Sequence, residues 1–372
     1  MRKRIFLYIH QCALRGGVEK VFCNLLNNLS VEDYEITVLS YVAYLKDDLD
    51  AQLYPPNVKR HWLYYDEFST NRIKRLLQRL HNYIYPRFCK LWLFFQKYDT
   101  AIAAQEGMYA EYVSKYVHAD KKLLWIHNDI SICHWTKRFF GDNTREATCY
   151  RAYDRVICVS EDVKKSMINT FGAMDNLVVC YNPIDTDEID HKKNAFQVMR
   201  PDCPLLVAVG RLAEQKGFDR LLRVCKKLCD NGFDFCVWIL GEGEKRQELE
   251  SYIFKNTLTQ VTLLGNQSNP YPYICAADWI ICSSRHEGFN TVLQEAVWCE
   301  IPIITTETAG THELLGNNEF GIITENNEDA LYLALKSVLS DPKTHEHFQK
   351  TVMKRKAFIA LEPRIAAIKK LL

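Results

Sequence analysis

No Cys-x-x-Cys pair occurs in this sequence of 372 residues, although it holds 14 cysteines. The closest two, Cys225 and Cys229, have the spacing of one helix face, and others such as Cys158, Cys236 and Cys282 stand singly in apolar runs. That distribution argues against structural zinc and against a disulfide scaffold, and the cysteines read as reduced core residues. The dinucleotide fingerprint GxGxxG is missing too, and Gly241-Glu242-Gly243 lacks its third glycine, which weakens a dehydrogenase reading. Internal repeats and low-complexity tracts are absent. Net charge is nearly absent: 47 Lys and Arg against 46 Asp and Glu leave +1, too balanced for a dedicated nucleic-acid binder. At the N-terminus the apolar run from Ile5 to Ile9 is interrupted by His10 and Gln11, too short for a signal-peptide core, so a cytoplasmic location is expected.

What is present is the composition of a soluble globular protein, with 48% hydrophobic and 25% charged residues. The length predicts two domains of similar size. Short β-rich runs alternate with segments of helical period, the pattern of βαβ units and parallel sheets, so the fold class is α/β. Strands are expected at Arg4–His10, Glu35–Tyr41, Val58–Leu63, Asp99–Ala104, Lys122–His127, Arg155–Ser160 and Leu177–Tyr181 in the first half. In the second half they are expected at Leu205–Gly210, Phe235–Leu240, Val261–Leu264, Trp279–Ser283, Ile301–Thr305 and Gly321–Thr324. The polar stretch Asn182–Pro204, with three prolines and no sustained apolar period, reads as a hinge. The domains expected are 1–185, 186–355 and a helical tail 356–372 with a break at Pro363, able to pack back on the first domain. Two doubly wound domains bind ligands outside the carboxyl ends of their strands, so a cleft between two facing sheets is expected to hold the site.

Four loops after strands carry unusual chemistry. Arg15-Gly16-Gly17-Val18-Glu19 follows the first strand and opens a helix, where two glycines permit close backbone approach and the helix start suits phosphate. A tight strand-to-helix turn is the plain alternative. Gly210-Arg211 with Lys216-Gly217 sets two cations at the end of the first strand of the second half, a pattern able to clamp a diphosphate. Glu287-Gly288-Phe289-Asn290-Thr291-Val292-Leu293-Gln294-Glu295 holds two glutamates, which in a fully helical span would be separated by roughly 12 Å. That is wider than the carboxyl pair of ordinary glycoside hydrolases and suits an elongated ligand, the alternative being a helix with one exposed glutamate at each end. His127 ends an apolar strand in Leu124-Trp125-Ile126-His127 and is either a structural hydrogen-bonding residue or part of a site.

Taken in order and spacing, Gly16-Gly17, Gly210-Arg211 to Lys216-Gly217, Gly241-Glu242-Gly243 and Glu287 to Glu295 resemble the family 4 retaining glycosyltransferases of the GT-B fold. The resemblance covers nearly the whole chain, most securely Leu205 to Glu325. It implies transfer of a sugar from a nucleotide diphosphate sugar to an acceptor hydroxyl, with the anomeric configuration kept, no metal and no cofactor beyond the sugar nucleotide as co-substrate. By the same resemblance Gly16 and Gly17 would face the distal phosphate, with Arg211 and Lys216 on the diphosphate. Glu287 would contact the donor sugar, and Glu295 would accept from the ribose hydroxyls. Gly210, Gly241 and Gly288 would line the donor, backbone N–H groups near Phe289, Asn290 and Thr291 would add phosphate contacts, and His127 would sit at the sugar and acceptor side. Asn290 and Pro183 stand where glycine is frequent in the family, and the first tilts the donor toward UDP. Asp185-Thr186-Asp187 resembles the metal motif of the other glycosyltransferase fold but lies in the expected hinge.

Charge is uneven along the chain, with 25 basic against 21 acidic side chains in residues 1–185. Much of the excess lies in 71–98, where Arg72, Lys74, Arg75, Arg79, Arg87, Lys90 and Lys97 occur without an acidic residue. Ile73, Leu76, Leu77, Leu80 and Ile84 share a helical face, followed after Pro86 by Phe88, Leu91, Trp92 and Phe95. Such an element either lies on an anionic membrane surface or packs into the core with a solvated basic side. A lipid-linked glycan acceptor for a surface polysaccharide fits the first alternative. Rival functions are a nucleotide-sugar epimerase of the same fold and a non-catalytic nucleotide-sugar-binding subunit.

Overall fold

A computed structural model describes residues 2–11, 16–43, 54–55, 58–66, 69 and 71–372. The chain divides into two compact units, the residues up to Pro183 together with Pro363–Leu372, and Ile184–Glu362. In the first, β1 (Lys3–Ile9), β2 (Tyr34–Ala43), β3 (Val58–Tyr65), β4 (Tyr98–Ala103), β5 (Ala119–Ile126), β6 (Arg155–Cys158) and β7 (Leu177–Val179) form one sheet. In the second, β8 (Leu205–Val209), β9 (Cys236–Leu240), β10 (Val261–Gly265), β11 (Trp279–Cys282), β12 (Ile303–Thr306) and β13 (Ile322–Thr324) form another. Each expected strand is present, with ends shifted by a few residues. The runs were legible because helices cover both sheet faces, so the strands are continuously apolar: Ile5 through Ile9 are all buried.

The sheets are parallel and ordered β3-β2-β1-β4-β5-β6-β7 and β10-β9-β8-β11-β12-β13. Both therefore reverse direction once, between β1 and β4 and between β8 and β11, and the loops after those four strands flank the ligand-binding crevice of a doubly wound sheet. Arg220 ties this place together in the second unit. Its buried guanidinium donates to the carbonyls of Ser283 and Ser284 at 2.7 and 2.6 Å, holding the loop after β11 to the helix Phe218–Asp230.

Three expectations need correction. The stretch read as a hinge without an apolar period contains the helix Thr186–Lys192, whose N-terminus is capped by Asp185 accepting from the Glu188 N–H at 2.8 Å. The helix is too short to show a period, but it buries Thr186 and Ile189. The tail breaks at Ala360, not Pro363, because a proline in the first turn of the helix Leu361–Leu371 removes only an N–H that has no helical partner there. Beyond it, Thr100 Oγ1 donates to the Leu372 carbonyl at 3.0 Å and Arg364 to the Asn182 carbonyl at 2.6 Å, which fastens this end to the first unit.

The third correction concerns Arg72–Phe94, a single helix that runs through Pro86. Its packed side is polar from Gln78 to Tyr85 and apolar beyond, where Pro86, Cys89 and Leu93 are buried. Asn82 pairs with both backbone groups of Tyr65 at 2.7 and 2.9 Å, Gln78 accepts from the Ser69 N–H at 2.8 Å, and His81 and Tyr85 bond Trp62 and His61. These bonds clamp the helix to the edge strand β3. The apolar face is thereby turned outward: Ile73, Leu77 and Leu91 are 72%, 60% and 57% exposed, and Leu76, Leu80, Ile84, Phe88 and Phe94 are exposed with them. The core-packed alternative for these residues fails. No helix among the described residues is long and apolar enough to cross a membrane.

Candidate functional site

A cluster of polar side chains lies at the sheet reversal of the second unit. After β8 the chain passes Gly210 and Arg211 and makes a short turn, Glu214–Lys216, ended by Gly217 in a left-handed conformation at φ 64°. Glycine is required there, since a Cβ would stand 2.2 Å from the Ser283 carbonyl oxygen. Gly241, after β9, is tighter still: a Cβ would meet the Gly210 oxygen at 1.9 Å. The glycines thus bring the ends of β8, β9 and β11 together.

Within this frame Lys216 Nζ lies 2.7 Å from Glu287 Oε1. The same oxygen accepts from Ser284 Oγ at 2.6 Å and from Asn290 Nδ2 at 3.4 Å. No hydrogen bond among the described residues engages Oε2. Burial works against the Lys216 charge, but the Glu287 carboxylate outweighs it and holds the ammonium pKa above its usual value. Arg211 is exposed and, among the described residues, forms no ion pair.

The two glutamates do not flank one helix. The helix starts at Thr291, so Glu287 precedes its Asn290 cap and Glu295 lies in the second turn, and both are buried, 8% and 4% exposed. The 12 Å helical estimate does not apply, and neither glutamate is a solvated helix end. Asn290 has two local tasks: its Oδ1 accepts from the Val292 N–H at 2.9 Å, capping the helix, and its amide reaches Glu287. Gly288 and Phe289 complete the connection, with Phe289 buried. Ser284, Gln215 and Arg220 were missed by sequence reasoning. Gln215 donates to the His286 carbonyl at 2.9 Å, and its one signal was a position between the two cations.

In the first unit Gly16 caps the helix Gly17–Asn27 without a side-chain bond, and Glu19 reaches back so far that a Cβ on Gly16 would lie 2.5 Å from Oε2. Arg15 lies outside the described residues. His127 follows β5, buried, its ring edge-to-face with Phe22 at 6.1 Å and its Nε2 without a hydrogen-bond partner among the described residues. Beside it stands Glu106, fully buried after β4, accepting from the His127 N–H at 3.1 Å, the Asn128 amide at 2.6 Å and the Trp135 indole at 3.0 Å. Sequence reasoning passed over Glu106, although Gln105-Glu106-Gly107 directly after a strand was the available sign.

Burial is the largest cause of the lowered pKa of His127, opposed by Glu106, and burial also lowers His10, His61 and His81. Burial thus disfavours the charged form of all four rings, while the unfolded chain protonates near pH 6.5. Stability from these groups is full above about pH 6.5 and falls as the pH drops toward the folded-state values. Urea unfolding should show a lower midpoint at pH 5.5 than at 7.5, with a smaller drop in His127→Gln. Equal drops in the variant and the parent would refute this origin.

Comparison with known proteins shows the family and the fold. Residues 15–188 match the family model described as Glycosyltransferase Family 4, and residues 189–355 the one described as Glycosyl transferases group 1. The chain is 33% identical over 198 residues to the N-acetylgalactosamine-N,N'-diacetylbacillosaminyl-diphospho-undecaprenol 4-alpha-N-acetylgalactosaminyltransferase of Campylobacter jejuni, covering 52% of this chain and 53% of that protein. It is 23% identical to the lipopolysaccharide core biosynthesis glycosyltransferase LpsE of Rhizobium meliloti, over 54% of this chain and 58% of the other. These matches span about half the length of those relatives. The Anabaena HepE structure in complex with UDP and glucose superposes with a TM-score of 0.75 at 15% identity, covering 98% of both chains, a likeness of fold. With two parallel doubly wound sheets and consecutive family matches from residue 15 to 355, the chain belongs to the family 4-like glycosyltransferases of the GT-B fold.

Proposed function

We propose that this protein is a retaining hexosyltransferase that moves a hexose or N-acetylhexosamine from a UDP-sugar to a lipid-linked saccharide, at the cytoplasmic face of a membrane, in surface polysaccharide synthesis. The observation that carries the reading is the Lys216–Glu287–Ser284–Asn290 cluster beside Arg211, which has no ion pair among the described residues, at the second sheet reversal. Arg211 and Lys216 compensate the charge of the departing diphosphate, and the helix start at Thr291 adds first-turn N–H groups, so no bound metal is required. Glu287 is already fixed through Oε1, which leaves Oε2 for a sugar hydroxyl. Glu295 takes the ribose, with Gly210, Gly241 and Gly288 allowing close approach. Gly16 and Gly17 serve the distal phosphate, and His127 the sugar and acceptor.

The C1–phosphate bond breaks and the C1–O bond to the acceptor forms on the same face. The acceptor proton passes to the leaving phosphate oxygen, and no side chain acts as nucleophile. The lipid-linked acceptor is supported by the Campylobacter relative, a transferase named for its action on a diphospho-undecaprenol saccharide. The outward apolar face of Arg72–Phe94, which carries no acidic residue, is suited to an anionic membrane surface. A panel of UDP-, GDP- and ADP-sugars tests the donor: UDP-sugars should raise the melting temperature and be slowly hydrolysed. Flotation with phosphatidylglycerol vesicles tests the helix. A flat panel would sink the transferase reading, and failure to float would sink the membrane contact.

A further inference from the structure

The segment that carries Arg211 and Lys216 begins and ends on a cysteine. Cys203 stands just before β8 and Cys236 opens β9, so the stretch between them contains β8, the loop with both cations and the helix Phe218–Asp230. The two Sγ atoms are 2.8 Å apart, less than about 1 Å beyond the length of a disulfide bond. Backbone bonds on both sides hold them there. Leu205 and Cys236 are partners in the parallel ladder, and the Cys236 N–H donates to the Pro204 carbonyl at 2.8 Å. Ahead of β8 the chain is fastened through Asp278, whose two carboxylate oxygens each accept from Arg200 at 2.8 Å and one of which also accepts from the Leu205 N–H at 2.7 Å. Cys203 thus lies between two fixed points, and joining the sulfurs asks only for a small shift of the side chains.

Access and proton placement add a second argument. Both cysteines are half-buried, whereas Cys158 and Cys225 are closed off in the core, so a small oxidant can reach this pair. Cys203 Sγ donates to Cys236 Sγ, and burial together with that contact raises the Cys203 thiol pKa. Cys203 therefore keeps its proton, and Cys236 is the sulfur placed to attack first. A disulfide between them would close a loop around the whole cation-bearing segment and restrict its freedom in the unfolded chain.

We propose that Cys203 and Cys236 are a redox site, oxidised by a small-molecule disulfide to one reversible disulfide that clasps the segment bearing Arg211 and Lys216 at its two ends. Cys236 Sγ attacks one sulfur of the oxidant, whose S–S bond breaks, and the first small thiol leaves with the Cys236 proton. Cys203 Sγ then attacks Cys236 Sγ and the second thiol leaves with the Cys203 proton, so two protein thiols are oxidised while one disulfide is reduced to two thiols. The test incubates the reduced protein, freed of reductant, with glutathione disulfide and maps its unreduced tryptic peptides by mass. A peptide pair joining Cys203 to Cys236 should appear and be undone by dithiothreitol, and the oxidised protein should melt about 5–10 °C above the reduced one. Mapping is needed because Cys275 and Cys299 also meet. Cys203→Ser should instead retain glutathione on Cys236 and gain none of this melting shift. Absence of the Cys203–Cys236 peptide pair in the parent, or an equal melting rise in Cys203→Ser, overturns the proposal. The outcome is independent of the transferase reading, and a flat UDP-sugar panel leaves it untouched.

Discussion

Arg211→Ala is expected to lower kcat/KM for nucleotide-sugar turnover by about 10²- to 10³-fold, equivalent to roughly 2.7–4 kcal/mol for one lost charge-stabilising donor. Its melting temperature should move by no more than about 1–2 °C, because an exposed side chain without an ion pair carries almost no folding energy. The two readouts together separate a diphosphate contact from a structural one. Arg211→Lys should recover only part of the loss, since an ammonium cannot reproduce a two-pronged guanidinium contact. Turnover within threefold of the parent in Arg211→Ala would remove the residue from the donor site.

Glu287→Gln should lose at least about 10²-fold in turnover and also about 2–4 kcal/mol of stability, because Lys216 would keep its charge in a largely closed site without a counter-ion. The raised Lys216 pKa gives the sign: the stability it shares with Glu287 is complete below the unfolded-state value near 10.4 and is lost only as pH rises through the folded-state value. The loss in Glu287→Gln is therefore present throughout the neutral range. Adding Lys216→Met should restore most of the stability and none of the turnover, a coupling that urea unfolding and a hydrolysis assay would show side by side. A double variant as unstable as Glu287→Gln alone would mean that the carboxylate supports the fold through Ser284 and Asn290, not through the lysine.

The outward apolar face of Arg72–Phe94 shows where periodicity stops being informative. Sequence spacing placed Ile73, Leu76, Leu77, Leu80 and Ile84 on one side, and they are on one side. Spacing has no term for what covers that side. The decision belonged to His81, Asn82 and Tyr85, whose polar groups meet β3, and to Gln78, which meets the Ser69 N–H beyond it. The site in the second unit divides in the same manner. Arg211, Lys216, Glu287 and Glu295 stood out by type and position, whereas Glu106 had only its place after a strand and Arg220 had no sign at all, because a buried polar side chain is set apart by partners distant in sequence.

By itself the sequence determined the alternation of strands and helices, the thirteen apolar runs and the glycine-marked turns at Gly217 and Gly241. These are local: a strand covered on both faces must be apolar along its whole length, and a turn at positive φ selects glycine. Only the tertiary structure decided that Lys216 and Glu287, 71 residues apart, share one proton-donating contact, that Asn290 serves both as a helix cap and as a partner of Glu287, and that an apolar helix face points out of the fold. Those outcomes depend on sheet order, which brings the ends of β8 and β11 side by side across three intervening crossovers, and no pattern confined to one segment contains it.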